Sequence, residues 1–499
     1  RPARPLKKSV MNGPQAVLAG PARALQEHDG AGLARHLSTL DNPQGPLDPR
    51  VAAWFFPPSA NTGSTGVVEA YVEAAAVASC GPKWGPIAAR QLTARAALQQ
   101  QTARSAGAAY SLVVAAYVAL VNVIRDETAW VVPVIRRLTY EARIIAERAD
   151  ADRAGRAKLA QPPAVASSPE GEGDDEDERL KVSRAVAAAA AATANASRRD
   201  SLRDVEKTLK KGFTACWTDR GGGSFEQSKK VATLYVVAQL LKIYFRLNLL
   251  KLAQPLIRPL EAQPHLLDDD DDEGGISRSR PTKRFPRGDV VAYRFFVGRL
   301  RMFEDRFQDA ERHLSYALAH CAASAPANKR AILEFLLPVR LRRGSLPRKR
   351  LLDKYGLESL APLVDAVRRG DLDAFHRELA KNQRAFVQRG TFLLLEKVKI
   401  LVYRNLFKKV FLVHKAHLAP KDNAPKQFRV KLHLFRAALQ WQGLTEIQPD
   451  EVECLLANLI HKSLIKGYIS HQQQTLVLSQ KNPFPTDAIK QNGDSSAGS

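Results

Sequence analysis

The sequence predicts a mainly α protein: a right-handed solenoid of tetratricopeptide-like helix pairs, capped at its C-terminal end by a winged helix. Three observations carry this. Apolar residues recur at helical spacing along most of the chain from Thr65, separated by short polar breaks, which makes antiparallel helix pairs the natural arrangement. No pair holds a full set of core residues of its own, so stacking has to bury them. Finally, Gln388 to Pro485 reads as three helices and then two short strands, the order of a winged helix.

The N-terminal region, residues 1–61, carries little pattern. Pro21 to Leu40 is expected as one helix, and Trp54-Phe55-Phe56-Pro57-Pro58 as a packed turn. Residues 62–159 hold the first helical repeats, expected at Val67–Ala78, Ile87–Thr102, Gly107–Ile124 and Val131–Ala149. Residues 160–180 combine Pro162, Pro163 and Pro169 with an acidic run from Asp174 to Glu178. Such a stretch buries too little apolar surface to order itself, and a disordered insertion is expected.

Helices resume over residues 181–262. An Ala-rich one is expected at Val182–Arg203 and a pair over Lys229–Leu260, with Tyr235, Leu240, Leu241, Tyr244, Leu249 and Leu250 in the core. Residues 263–288 form a second insertion, acidic from Asp268 to Glu273 and basic from Arg278 to Arg287. Opposite charge blocks side by side read as a flexible loop; contact with nucleic acid, or nuclear import, is the other reading of the basic half.

Residues 289–389 carry the sharpest repeat pattern. Tyr293, Gly298, Leu300 and Phe303 precede a turn, and Phe307, Ala310, Leu314 and Ala317 follow at i, i+3, i+7 and i+10, as in a degenerate tetratricopeptide-like pair. Further helices are expected at Lys329–Leu341, Leu346–Tyr355, Leu360–Arg369 and Leu372–Arg389, with Gly344, Gly356 and Gly370 at helix stops.

The winged helix occupies residues 390–485, and 486–499 is a polar tail expected to be disordered. Its first helix, Thr391–His417, is apolar around most of its circumference through Leu394, Val398, Leu401, Leu406, Val410 and Val413. Lys397, Arg404, Lys408 and Lys415 fall within one narrow strip at about 100° per residue, an expected basic ridge in water. The second helix, Phe428–Trp441, has Val430, Leu434 and Ala438 as its stripe and leaves Arg429, Lys431 and Arg436 for the surface. The third starts at Pro449, with Asp450, Glu451 and Glu453 where the helix dipole favours acid. Val452, Leu455, Leu456, Leu459 and Ile460 form its buried stripe, which exposes Asn458, His461 and Lys462. Ile465–His471 and Thr475–Ser479 alternate as strands around Gln472–Gln474.

Four blocks in this region, Leu401-Val-Tyr-Arg-Asn-Leu-Phe-Lys-Lys409, Asp450-Glu-Val-Glu-Cys-Leu-Leu-Ala-Asn-Leu-Ile460, Ile465-Lys-Gly-Tyr-Ile-Ser-His471 and Lys481-Asn-Pro-Phe-Pro485, resemble the C-terminal half of PCI-domain proteins. The resemblance covers Tyr293 to Pro485 well and the rest in layout. It is closest to the TREX-two mRNA-export branch (the Thp-one and PCI-domain-containing-protein-two type), with signalosome subunit-twelve-like proteins beside it. The resemblance implies a scaffold rather than an enzyme. It also implies two partners: a second PCI-domain protein docked winged helix to winged helix, and a small acidic disordered protein of the Sem-one/DSS-one type. The implied work is mRNA export and transcription-coupled RNA handling in the nucleus and at the nuclear pore, with the cytoplasm as a second location.

Charge points the same way. The formal net charge is +24 and the pI about 10.0, which favours nucleic acid or an acidic protein as partner over a membrane surface. The only candidate span, Gly107–Ile124, is Ala-rich and reads as a buried repeat helix. Cys80, Cys216, Cys321 and Cys454 are far apart and form no CxxC pair, so neither a zinc site nor a disulfide framework is expected. GxxxxGK, HExxH and GxSxG are all missing from the sequence. His414 and His417 share a face without a third ligand, and no cofactor or metal is expected.

Between Arg389 and Lys481 stand fifteen Lys and Arg against six acids. The expected nucleic-acid contacts are Lys397, Arg404, Lys408, Lys409, Lys415, Lys421, Lys426, Arg429, Lys431, Arg436, Lys462 and Lys466. Arg404-Asn405 has a structural alternative, tying the wing to the solenoid. A second basic cluster, Arg340, Arg342, Arg343, Arg348, Lys349 and Arg350, brackets Gly344 and would extend the track or meet an acidic protein. Tyr468, His471 and Thr475 mark the wing face expected to meet the partner PCI protein.

Overall fold

The computed structural model describes residues 13–40, 65–99, 105–159, 200–221, 224–263, 285–417 and 427–486. These divide into two compact units at Asp289/Val290. The expectations for Trp54–Pro58, both charged insertions, most of the Ala-rich stretch and the tail lie outside the described residues.

The first unit holds α1 (Gly13–Gln26), α2 (Gly30–His36), α3 (Thr65–Gln99), α4 (Ser105–Val123), α5 (Val132–Leu159), α6 (Asp200–Trp217), α7 (Thr233–Leu247) and α8 (Gln254–Glu261). The single helix expected over Pro21–Leu40 is two, because Asp29 starts α2 afresh: its carboxylate accepts from Gly32 N at 2.9 Å. α3 joins the two helices expected on either side of Gly81, which breaks the helical run (φ 80°, ψ 169°) just before Pro82, where the pyrrolidine ring disfavours a helical predecessor.

α4 is long and apolar enough to cross a membrane by length and composition, yet it packs along α3, α5 and α6. Ala109, Val113, Ala116, Tyr117 and Leu120 are at most 1% exposed. The end of α2 is held to α5 by a buried carboxylate. Glu141 accepts from Ser38 Oγ (2.7 Å), Thr39 N (3.0 Å), Thr39 Oγ1 (2.9 Å) and Arg137 Nε (2.8 Å).

The second unit runs through α9 (Arg287–Phe303), α10 (Phe307–His320), α11 (Pro326–Arg342), α12 (Lys349–Lys354), α13 (Ala361–Arg369), α14 (Leu372–Lys381) and α15 (Gln383–Arg389). α16 (Phe392–His417) leads into β1 (Arg429–Lys431), α17 (Leu432–Trp441), α18 (Pro449–His461), β2 (Gly467–Ser470) and β3 (Thr475–Leu478).

Two expected helices are shorter. Leu346–Tyr355 reduces to α12, since Leu346 precedes Pro347 and cannot easily be helical. Leu372–Arg389 splits at Asn382, whose side chain donates to Glu378 O at 3.1 Å and closes α14. The stop at Gly370 is doubly required. Its φ is +64°, and a Cβ there would stand 2.5 Å from Leu406 N of α16, so only glycine lets the two helices approach.

One core runs through this unit, from Met302 and Phe307 in the helical layers through Leu395 and Phe407 of α16 to Phe435, Leu456, Leu476 and Phe484. The sheet has the order β1-β3-β2, with Lys431 opposite Thr475 and Tyr468 opposite Val477. The mainly α class and the C-terminal winged helix are therefore as the pattern required.

His313 sits inside this unit. Arg294 Nη1 donates to its Nδ1 at 3.2 Å; a guanidinium only donates, so Nδ1 must accept. Burial, and then Arg294, Arg312 and Arg301 against the opposing pull of Asp309, push the imidazole down to about 3. Unfolding releases it to take up a proton below about 6.5. The unfolded chain therefore binds more protons between about pH 6.5 and 3, and stability falls as pH drops through that window. In His313→Asn, the unfolding free energy of the protein, read from denaturant melts, should fall less steeply from about pH 6.5 to 4. The difference should be up to ~1.4 kcal/mol per pH unit; parallel profiles for the two proteins would refute the assignment.

Candidate nucleic-acid interface

α16 is the base of the site. Leu394, Leu395, Val398, Leu401, Val402, Leu406, Phe407 and Phe411 are buried, but Val413 is 56% exposed, so the apolar girdle stops before the helix end. The segment expected as one helix over Phe428–Trp441 is a three-residue strand followed by α17. Val430 is buried in β1, and the helix stripe is Leu432, Phe435 and Leu439, one step out of phase with Leu434 and Ala438. α18 starts as expected at Pro449, and Gln448 N donates to the Glu451 carboxylate at 3.0 Å.

The strip of four cations along α16 is not a continuous ridge. Lys397 Nζ is paired with the Asp305 carboxylate at 2.6 Å. Arg404 is only 4% exposed. It donates through Nη2 to Phe484 O (2.9 Å) and Pro485 O (3.2 Å), and through Nη1 to Asn405 Oδ1 (2.9 Å). Asn405 in turn donates to Val367 O of α13 at 2.7 Å. The structural alternative for Arg404-Asn405 is the one realised: the segment after β3 lies across the strip, and Arg404 holds it there. Burial lowers the Arg404 pKa from its ordinary value.

Lys408, Lys409 and Lys415 are exposed, and Lys415 Nζ lies 5.7 Å from the Phe428 ring centre. Arg429 and Lys431 are exposed on β1. His414 Nε2 lies 3.1 Å from Arg429 O, and Lys431 Nζ donates to Gln473 O in the wing turn at 3.0 Å. Lys415, Arg429 and Lys431 are thus brought together where α16 meets the sheet. Lys421 and Lys426 lie outside the described residues. Lys466 is exposed but leads into β2, on the far side of β3 from β1. Arg436 is part-buried and donates to Ile447 O at 3.0 Å, a fixture of the α17–α18 turn rather than a surface cation. Lys462 is half-buried and faces Arg342.

The second cluster also divides. Arg340 (3.1 Å) and Arg343 share the Glu311 carboxylate of α10, so both are occupied within the fold. Arg342 lies over the Phe307 ring at 5.8 Å. Arg348, Lys349 and Arg350 are exposed.

On the wing, Tyr468 is 62% exposed, but Thr475 is 3% exposed and its hydroxyl donates to Gln473 O at 2.8 Å, so it cannot meet a partner. His471 Nδ1 pairs with Glu453 at 2.9 Å. Pattern reading missed Trp441, which is 83% exposed at the end of α17; its neighbour Gln442 accepts from Leu372 N at 2.7 Å and caps α14. It also missed Lys399 and Tyr403, whose spacing on α16 carried no signal.

Arg404→Ala should destabilise the C-terminal unit by about 2–4 kcal/mol, since it strands two carbonyls and removes a buried cation. Arg404→Lys should recover little, lacking the fork. Denaturant unfolding, with tryptic cleavage at Lys481 as a second readout, checks both. The Glu453 carboxylate, chiefly by its hydrogen bond, raises the His471 pKa. An NMR titration should find His471 above its ordinary value, and Glu453→Gln should bring it back down.

Residues 379–480 match the model of the PCI domain. The chain is 39% identical to PCI domain-containing protein 2 of Xenopus laevis over 286 residues, 57% of this chain and 65% of that protein. It is 31% identical to Enhanced ethylene response protein 5 of Arabidopsis thaliana over 359 residues, 72% of this chain and 71% of that one. It is 35% identical to Protein CSN12 homolog of Gibberella zeae over 289 residues, 57% of this chain and 61% of that one. The match thus spans just under two thirds of the length of the PCI domain-containing protein 2 relative. With the helical layers, the winged helix and these likenesses together, the chain belongs to the PCI-domain family.

Proposed function

We propose that the chain is a non-enzymatic scaffold subunit that pairs with a second PCI-domain protein and a small acidic protein of the Sem-one/DSS-one type. Together they would form a nucleic-acid-binding platform in mRNA export and transcription-coupled RNA processing, in the nucleus and at its pores. The observation that carries the nucleic-acid part is the exposed group Lys408, Lys409, Lys415, Arg429 and Lys431 on α16 and β1. Counterion release at such a group supplies affinity without base reading. Exposed Arg348, Lys349 and Arg350 suit an acidic protein partner, and exposed Tyr468 suits a contact with the second PCI protein.

The likeness to Protein CSN12 homolog supports a second reading, an assembly subunit whose charge serves protein contacts alone. A gel-shift assay on the reconstituted complex separates the two. Lys408→Glu with Lys409→Glu and Lys415→Glu should weaken binding to single-stranded RNA by about tenfold or more at low salt and flatten its salt dependence. Absent binding at low salt, or binding unchanged by the reversal, would favour the assembly reading.

A further inference from the structure

Cations that spacing placed in two separate clusters meet in one cavity. It holds about 360 Å³ and lies within the second unit, where the α9–α10 turn, α11, α16 and α18 come together. Arg342, Lys397, Lys399 and Lys462 bring four positive charges to it; Asp305 and Glu396 bring two negative ones. Lys397 is already matched by Asp305. The remaining wall is mostly apolar, through Phe307, Ile400, Leu455 and Leu459, with Asn458 and Tyr403 among them.

Arg342 Nε is buried and finds no hydrogen-bond partner. Burial lowers the pKa of both Arg342 and Lys462; the Asp305 carboxylate pulls Arg342 part of the way back up, and the nearby Arg342 charge lowers Lys462 further. Like charges held together in a partly dry cleft destabilise each other, and the two acids on its wall offset only part of the four cations. Beside them stands Tyr403, half-buried, with Lys399 Nζ 5.7 Å from its ring centre.

We propose that this cavity takes one unpaired nucleotide of a single-stranded nucleic acid, its phosphate between Arg342 and Lys462 and its base against Tyr403. The inference rests on the nucleic-acid reading above and adds a selection that surface lysines lack. The excess charge calls for an anion, and the volume is at the small-ligand end of binding cavities, too small for a duplex. A flat ring flanked by cations is the arrangement that holds stacked, unpaired bases. A peptide carboxylate would answer the charge but leave the ring without a stacking partner.

The test uses the full chain and fluorescein-labelled deca-uridylate, read by anisotropy, with a 4-thiouridine oligomer for photo-cross-linking. Tyr403→Leu should weaken binding about tenfold while Tyr403→Phe retains it. Lys399→Glu with Lys462→Glu should weaken it further and lower the salt slope by about two. Duplex RNA binding should not respond to either change, and cross-links should map to the peptide containing Tyr403. If these variants bind like wild type while Lys408→Glu with Lys409→Glu and Lys415→Glu loses binding, the pocket assignment falls and the broader reading stands. If neither set alters binding, both fall. Loss of polyglutamate binding with deca-uridylate binding intact would make the occupant an acidic protein and overturn the inference.

Discussion

The second unit depends on the burial of α16 from two sides at once. Its Leu394–Phe411 face serves the helical layers and the winged helix together, within one continuous core. Arg404 and Asn405 fix that arrangement from the middle of the helix. One is bonded to the carbonyls of the closing segment and the other to the carbonyl at the end of α13. A buried guanidinium is tolerated where most of its donors are answered; here Nη1 and Nη2 are met, Nη2 by carbonyls from the far end of the fold, while Nε has no hydrogen-bond partner. Gln442, capping α14 from the end of α17, makes a third tie of the same kind. Separating the helical part from the winged helix would leave each with an exposed core and unmet backbone groups.

Charge in this unit divides by its surroundings. Arg340 and Arg343 converge on Glu311, and Lys397 on Asp305; these pairs tie elements of the unit together and contribute little outward field. Lys408, Lys409, Lys415, Arg429 and Lys431 are exposed to water. Arg342 and Lys462 are a third case, drawn together and partly dried by the fold itself. Net charge alone treats the three alike, whereas their physical roles follow from what each side chain touches.

Much of the fold was legible because helices announce their ends. Gly344, Gly356 and Gly370 stop helices with positive φ, and Pro449 opens α18 where the pattern put it. Failures share a cause: contacts distant in sequence overrode local periodicity. Val430 fits a helical stripe with Leu434 and Ala438, but pairing with Leu476 draws it into a strand too short for alternation to reveal. Arg404 fits a solvent strip by angle, yet a segment some eighty residues later covers it. The cavity was unreadable because Asp305, Arg342, Lys397 and Lys462 meet only in three dimensions. Thr475 is expected on the exposed face of the wing, but β3 lies at the centre of the sheet, between β1 and β2, and Thr475 is buried there.

The shared core also has a consequence for biosynthesis. α16 needs Phe435, Leu456, Leu476 and Phe484 to complete its cover, and roughly 70 residues separate its end from the last of these. At about 5–20 residues per second, the ribosome leaves this largely apolar helix waiting for several seconds after it is made. Nascent chains at that stage present a greasy, cationic rod to the cell, which makes the interval one in which a holding chaperone has most to protect.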